Sequence, residues 1–143
     1  MSFYHDLDRY KDYTAVVDET GISLTYGDMK KFAESVGKIV PKRSLVFLYC
    51  ENRAGSVLSY ISCLYNSVVV LLLSDSIEDG LNKELLNIYT PSYLFVPKES
   101  KIEFEGYLTI YEEYRYCLMK SEKKYDIPLY NDLALLLTTS GST

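Results

Sequence analysis

Three short apolar runs, each followed by a turn, alternate with segments of helical periodicity in the middle of this chain. The runs are Leu45–Cys50, Val68–Leu73 and Tyr93–Val96, and apolar residues recur at helical spacing over residues 54–65 and 77–88. Strands that are covered by helices on both faces read as unbroken apolar runs, because neither face meets water. Strand, helix, strand, helix and strand in succession predict right-handed crossover units. The expected fold is therefore α/β, with a largely parallel sheet flanked by helices.

An N-terminal β-hairpin is predicted over residues 14–26, because two short strand-like runs flank a turn that contains Gly21. Thr25 precedes Asp28 by three residues, a spacing that lets a hydroxyl and a carboxylate satisfy the free amides of a helix start. Apolar residues at helical spacing follow until Pro41, which ends the run. The first helix is therefore expected directly after the hairpin.

The third helix is expected to start from the N-cap chemistry of residues 74–76 and to end before Pro91. Its buried stripe is predicted to consist of Ile77, Leu81, Leu85 and Ile88.

The pattern weakens over residues 97–131, which read as an irregular connection. Within them Tyr107–Tyr111 favours a strand, whereas the charged, tyrosine-rich Glu112–Lys124 fits a short helix or a mobile connection. Residues 132–137 return to a buried-strand run. A length of 143 residues with 48% apolar side chains allows a single α/β domain with its own core, in which residues 27–96 form the crossover units.

Charge and cysteine content exclude several classes of protein. The formal charge of −5 disfavours binding to nucleic acid phosphates. Cys50, Cys63 and Cys117 contain no C-x-x-C pair, so they predict reduced thiols without a disulfide framework or a zinc site. His5 has no second histidine to join it in a metal site. With no basic-then-apolar pattern at the N-terminus, we expect no signal peptide and a cytoplasmic location.

The stretch Ala54–Ser74 contains no charged residue and is long enough to cross a bilayer as one helix. Its interior carries several serines and ends in the strand-like run Val68–Leu73. This pattern favours a buried helix, a turn and a buried strand over a membrane span.

The chain ends in a run of small residues directly after the last predicted strand. Five of the six residues Thr138–Thr143 carry hydroxyls, and the sixth is glycine. Small side chains let a backbone approach a ligand, and amides with hydroxyls supply many donors for an anion such as a triphosphate. Ligands of open α/β sheets gather at the carboxyl ends of strands. By composition alone, a linker or a frayed terminus is the alternative.

The string Leu136–Thr143 resembles the first part of the phosphate-binding signature of the adenylate-forming enzymes. This family comprises acyl-CoA synthetases, peptide-synthetase adenylation domains and firefly luciferase. In the family, Thr-Ser-Gly-Ser-Thr continues with Gly, a variable residue, Pro and Lys. Because Thr143 is the last residue, we expect that the chain is truncated inside the motif and forms part of an N-terminal subdomain.

Upstream segments resemble the same family in the same order. Residues 15–29 are similar to its Ala-Val-Val-Asp … Leu-Thr-Tyr-x-Glu-Leu segment, and residues 46–73 to its strand, asparagine turn, helix and strand. Ser67 stands where the family usually has glycine, and the usual proline of the following strand is missing. The family's adenine-binding motif, magnesium-associated glutamate, ribose-binding aspartate and C-terminal lysine would lie beyond residue 143. No catalytic residue and no metal ligand are therefore assigned.

The resemblance implies the N-terminal part of an ATP-dependent, AMP-forming carboxylate ligase. A carboxylate attacks the α-phosphate of ATP, and a thiol of coenzyme A or of a carrier protein usually takes the acyl group. The implied ligands are ATP with Mg²⁺ and a carboxylic acid, whose identity stays open because the acyl pocket follows the phosphate loop. The residues implied to bind the β- and γ-phosphates are Thr139, Ser140, Gly141, Ser142 and Thr143. We expect no adenylation by this chain alone.

Two other functions are alternatives to this one. The first is a non-catalytic α/β binding module, in which some of the fifteen tyrosines form a contact surface. The tyrosines are also explained if they lie half-buried in the sheet and helix layers. The second is a classical dinucleotide or P-loop domain, which lacks support because neither G-x-G-x-x-G nor G-x-x-x-x-G-K-[ST] occurs.

Overall fold

Strands and helices alternate through the computed structural model, which describes residues 14–17, 23–51, 53–122 and 135–137. The helices are α1 (Tyr26–Gly37), α2 (Ala54–Tyr65) and α3 (Asp79–Tyr89). The strands are β1 (Thr14–Val17), β2 (Ser23–Thr25), β3 (Leu45–Cys50), β4 (Val69–Ser74), β5 (Tyr93–Pro97), β6 (Tyr107–Glu113), β7 (Tyr116–Ser121) and β8 (Leu135–Leu137).

The main sheet has six described strands in the order β6-β7-β5-β3-β4-β8. Strands β3, β4, β5 and β8 run parallel, whereas β6 and β7 are antiparallel to their neighbours. Strands β1 and β2 form a separate antiparallel pair. The predicted α/β fold, its largely parallel sheet and its N-terminal hairpin are confirmed.

Side chains of the central strand β3 alternate between two hydrophobic clusters. Val46 and Leu48 pack with residues of α1 and α2, whereas Phe47 and Tyr49 pack with residues of α3 on the other face. All four side chains are fully buried, and burying a large apolar side chain contributes about 1.5–3 kcal/mol. The helices therefore cover both faces of the sheet, which explains the unbroken apolar run of β3 in the sequence.

The start of α1 has the predicted capping box. Thr25 Oγ1 accepts from the Asp28 amide at 3.1 Å, and Asp28 Oδ2 accepts from the Thr25 amide at 2.9 Å. Asn66 then ties α1 to α2, because its side-chain amide donates to the carbonyls of Ala33 and Ser62 at 2.8 Å each. The two helices are thereby fixed side by side on one face of the sheet.

Helix α2 contains two fully buried serines that differ in their hydrogen bonding. Ser62 Oγ donates to the Ser59 carbonyl at 2.7 Å, whereas Ser59 Oγ has no partner in the described part of the chain. A buried hydroxyl without a partner keeps the cost of its desolvation. Ser59→Ala should therefore raise the free energy of unfolding by about 1 kcal/mol. Urea titration followed by circular dichroism would measure the change.

Ser62→Ala is the matched control for this prediction, because it removes a hydroxyl of equal burial from the same helix. It should lower the free energy of unfolding by about 0.5 kcal/mol, since it removes a hydrogen bond. Equal effects of the two substitutions would contradict the assigned hydrogen bonding.

The predicted start of the third helix is wrong. Residues 74–76 form a turn in which Ser74 Oγ accepts from the Ser76 amide at 3.0 Å, and α3 begins at Asp79 without a side-chain cap. The predicted stripe is also wrong at Ile88, which is 62% exposed. Ile77 and Leu85 pack against the sheet as predicted, and Leu86 packs beside them. The Ser74 hydroxyl therefore does not cap α3, because serine side chains bond equally well to nearby turn amides.

The irregular connection predicted for residues 97–131 is wrong for residues 107–121, which form the β6–β7 hairpin. The expected strand at Tyr107–Tyr111 is confirmed as part of β6. The turn residues Tyr114 and Arg115 have φ values of 51° and 63°, a left-handed geometry that hairpin turns usually fill with Asn-Gly. The turn contains no glycine, so the usual sequence signal for a hairpin turn is missing here. Residues 123–131 lie outside the described residues.

The uncharged stretch that could have spanned a membrane divides into α2 and β4. In the part of the chain that the structure describes, no helix is both long and apolar enough to cross a bilayer.

Candidate functional site

The carboxyl ends of β3, β4, β5 and β8 lie along one border of the sheet, which we call the carboxyl edge. The connection from β3 to β4 passes through α2 on one face, whereas the connection from β4 to β5 passes through α3 on the other. The chain therefore leaves β3 and β4 toward opposite faces. In open α/β sheets, ligands usually bind where the chain leaves neighbouring strands in this way.

Strand β8 reaches the carboxyl edge beside β4. Leu135 pairs with Val70, and Leu137 pairs with Leu72. The predicted phosphate-binding residues Thr139, Ser140, Gly141, Ser142 and Thr143 follow this strand in the sequence and lie outside the described residues.

Asp75 joins three strand ends at the carboxyl edge. Its amide donates to the Cys50 carbonyl of β3 at 3.0 Å, and its Oδ1 accepts from Ser100 Oγ at 2.7 Å. Ser100 belongs to the segment that follows β5. This residue therefore couples the ends of β3, β4 and β5, which helps to keep the edge in one geometry.

A buried hydrogen-bond network, here called the Tyr116 clamp, fixes the turn between β3 and α2. The Tyr116 hydroxyl donates to the Tyr49 carbonyl at 2.7 Å and lies 2.5 Å from Ser56 Oγ. Ser56 Oγ donates to the Glu51 carbonyl at 2.7 Å and accepts from the Glu51 amide at 2.9 Å. The clamp thus binds the hairpin to the end of β3 and to the start of α2.

Cations near the carboxyl edge are paired with carboxylates. Arg53 Nε lies 3.0 Å from Glu51 Oε1. Lys98 pairs with Glu112 at 3.1 Å, and Arg115 pairs with Glu99. An anion at this edge would therefore depend on backbone amides and hydroxyls more than on these side-chain charges.

Two groups at the clamp, the Tyr116 phenol and the Cys50 thiol, have raised pKa values. Burial raises the pKa of the Tyr116 phenol and of the Cys50 thiol, so neither group supplies a base or a thiolate nucleophile. The described residues also contain no cluster of three or more His, Cys, Asp or Glu side chains that could hold a metal ion.

Comparison with known proteins adds information at the level of structure. No protein-family model and no curated protein sequence matches the chain. Among solved structures, the luciferase-like enzyme of the mealworm Zophobas morio superposes with a TM-score of 0.55 at 20% identity, covering 63% of this chain and 23% of that one. The O-succinylbenzoate coenzyme A synthetase of Bacillus subtilis gives a TM-score of 0.56 at 15% identity, over 65% of this chain and 27% of that one.

A third similar structure is the N-terminal subdomain of NpsA from Klebsiella oxytoca, with a TM-score of 0.57 at 13% identity. The match covers 70% of this chain and 27% of that one. A luciferase-like enzyme and a coenzyme A synthetase represent two of the classes that the sequence resembles. The chain shares the fold of one part of these adenylate-forming enzymes. It spans about a quarter of the length of these three solved chains.

The fold brings together residues that the sequence analysis did not connect. Ser56 and Tyr116 of the clamp are sixty residues apart in the sequence, and Asp75 and Ser100 are twenty-five apart. No spacing rule connects such pairs. Of these four residues, only Ser56 had a local signal in the sequence, because it lies in the first turn of the helix predicted from Ala54.

The tyrosines of the hairpin do not form an exposed aromatic surface. Tyr116 is buried, and Tyr107, Tyr111 and Tyr114 are half-buried. Tyr111 and Tyr114 contact the ring of Phe32 on α1. Packing within the fold therefore accounts for these residues better than a contact surface does, while Tyr125 and Tyr130 lie outside the described residues.

Proposed function

We propose that this chain is the N-terminal part of an ATP-dependent, AMP-forming carboxylate ligase. The observation that carries the proposal is β8, which ends at the carboxyl edge beside β4. The sequence directly after it, Thr138–Thr143, resembles the phosphate-binding signature of the same enzymes whose fold the chain shares. Fold and motif therefore support one function independently of each other.

In the proposed reaction, a carboxylate attacks the α-phosphate of ATP, and the bond between the α- and β-phosphates breaks to release pyrophosphate. The amides and hydroxyls of residues 139–143 donate hydrogen bonds to the β- and γ-phosphates. Adenylyl transfer depends on positioning and charge neutralisation more than on a protein nucleophile.

ATP enters as a substrate together with its magnesium ion. The B. subtilis synthetase was solved in complex with ATP and a magnesium ion, which supports the same substrate for this fold. A carboxylic acid is the proposed second substrate, and a thiol of coenzyme A or of a carrier protein is the proposed acceptor.

Titration of the chain labelled with ¹⁵N by MgATP tests the phosphate-binding residues. Amide signals of residues 139–143 should shift, and Ser140→Ala and Ser142→Ala should each weaken binding about tenfold, because a hydrogen bond to a charged group is worth roughly 1.5–3 kcal/mol. Catalysis requires more than the phosphate contacts, so we expect no exchange of pyrophosphate into ATP by the 143 residues alone.

Ser44→Ala is the matched control. Ser44 Oγ donates to the Pro41 carbonyl at 2.8 Å just before β3, at the opposite edge of the sheet. This variant should bind MgATP as the parent chain does. Unshifted signals for residues 139–143 at saturating MgATP, or equal loss of affinity in all three variants, would contradict the proposed site.

A further inference from the structure

Helix α2 contains no charged residue along its length, although one of its sides is only partly covered by the described chain. Val57 is 43% exposed, and Tyr60 and Leu64 are half-buried. Their spacing of i, i+3 and i+7 places these three residues on one side of the helix, which we call the outer face of α2.

The other two helices carry charged side chains where they face water. Lys31 and Glu34 are exposed on α1, and Lys83 and Glu84 are exposed on α3. Surface helices normally have such a polar side, whereas helices that are apolar all round are buried. The outer face of α2 therefore has the composition of a covered surface, and a further element is expected to lie on it.

The N-terminal segment of the chain leads directly to this helix. Strand β1 lies against α2, and residues 1–13, which lie outside the described residues, run straight into β1. At the rise of an α-helix, the outer face from Val57 to Leu64 extends over about 10 Å, and thirteen residues would extend over about 20 Å. Residues 1–13 are therefore long enough to cover it.

The sequence of this segment contains an apolar stripe of the same length. Phe3, Leu7 and Tyr10 recur at i, i+4 and i+7, which is typical of one side of a helix. Apart from Tyr4, which adjoins the stripe, the residues between and directly after them are polar: His5, Asp6, Asp8, Arg9, Lys11 and Asp12. A helix this short is marginal in water unless its apolar side packs on another surface.

We propose that residues 1–13 dock on the outer face of α2 as an amphipathic helix. The stripe of Phe3, Leu7 and Tyr10 packs on the outer face, and the charged side chains face water. Mutual burial of two apolar stripes supplies the free energy that a short helix lacks. The connection through β1 holds the segment beside α2 at an effective concentration of about millimolar, which favours it over a second copy of the chain. This docking is independent of nucleotide binding at the carboxyl edge.

NMR spectroscopy of the full 143-residue chain tests the contact. Nuclear Overhauser effects are expected between the Val57 methyl groups and the Phe3 ring or the Leu7 methyl groups, because packed apolar side chains approach within about 4.5 Å. Hydrogen exchange of the amides of residues 7–12 should be at least about tenfold slower than in an unfolded chain, since these amides donate within the helix.

Substitutions on the two sides of the contact should have the same effect. Val57→Ser and Leu7→Ser should each reduce the protection of residues 7–12 about fivefold, because each removes buried methyl groups. The double variant should lose little more, since both changes remove one contact. Ile88→Ser is the matched control, because Ile88 is an exposed apolar residue of α3, and it should leave this protection unchanged. Retained protection of the β3 amides would show that each variant is folded.

Unprotected amides at residues 7–12 in the folded parent chain would overturn the proposal. Protection that rises with protein concentration would overturn it too, because a second copy would then cover the outer face. Equal effects of Val57→Ser and Ile88→Ser on the N-terminal segment would have the same consequence, since the segment would then not distinguish α2 from α3.

Discussion

Gly55→Ala is expected to lower the free energy of unfolding by about 3 kcal/mol, near the upper end of typical overpacking effects. A Cβ at this position would lie 2.5 Å from the Tyr114 carbonyl oxygen and 2.5 Å from Cδ1 of the Tyr116 ring. The Tyr114 oxygen belongs to the backbone and the Tyr116 ring belongs to the clamp. Neither can move away without loss of the contact between the β6–β7 hairpin and α2. Urea titration with circular dichroism detection measures the change.

Gly80→Ala provides a matched control, because Gly80 is the second residue of α3 as Gly55 is the second residue of α2. The nearest atom to a Cβ there is Glu78 Oε1 at 3.3 Å, the end of a flexible side chain. Alanine in this helix should stabilise the chain by about 0.5 kcal/mol, since it reduces the entropy of the unfolded state. Similar effects at both glycines would contradict the close approach of the hairpin to α2.

Alkaline pH should unfold the chain steeply, because its buried tyrosines must stay protonated in the folded state. Burial raises the pKa of Tyr49, with the nearby Tyr107 phenol adding to the effect, and burial also raises the pKa of Tyr116. Both side chains are at most 2% exposed. Below about pH 10 the phenols are protonated in both states and contribute no pH dependence. Above it the unfolded chain loses protons that the folded chain retains.

The dependence of the free energy of unfolding on pH follows from proton linkage. Each retained proton lowers the free energy of unfolding by about 1.4 kcal/mol per pH unit, so two phenols give about 2.7 kcal/mol per unit until the pH approaches the folded pKa values. Burial also raises the pKa of the Cys63 thiol to about 12. Because a thiol in the unfolded chain loses its proton at a lower pH than a phenol, the loss of stability should start nearer pH 9. Urea midpoints measured from pH 8 to 12 would give the profile.

Tyr116→Phe and Tyr49→Phe should each reduce this slope by about 1.4 kcal/mol per pH unit, whatever their effect on stability at neutral pH. Tyr89→Phe serves as the control for loss of an exposed phenol, because Tyr89 is 38% exposed. A flat profile between pH 10 and 12 in the parent chain would show that these phenols are accessible to solvent in the folded state.

Elements with a strong local pattern were predicted almost to the residue. The apolar run at residues 45–50 is β3, and the helix expected from Ala54 is α2. The capping box of Thr25 and Asp28 was visible from spacing alone. In each case the signal lies within one element, so the residues that form the sequence pattern are also the residues that determine the local structure.

Elements whose stability comes from distant partners were not predictable in the same way. The β6–β7 hairpin forms around two non-glycine residues in left-handed geometry, which is tolerated because Tyr114 packs on Phe32 and Tyr116 enters the clamp. Residues 74–76 had N-cap chemistry, but their serine hydroxyl bonds within a turn. Local propensity is a weak prior wherever tertiary contacts supply more free energy.

By itself, the sequence determined that the chain builds parallel crossover units and that its last residues resemble a phosphate-binding signature, because periodicity and short motifs are local properties. Only the tertiary structure decided which strand ends meet at the carboxyl edge, that Tyr116 joins the hairpin to the start of α2, and that Asn82 accepts a hydrogen bond from Tyr49. These contacts join residues more than thirty positions apart. Chain topology, which no local pattern encodes, brings them together.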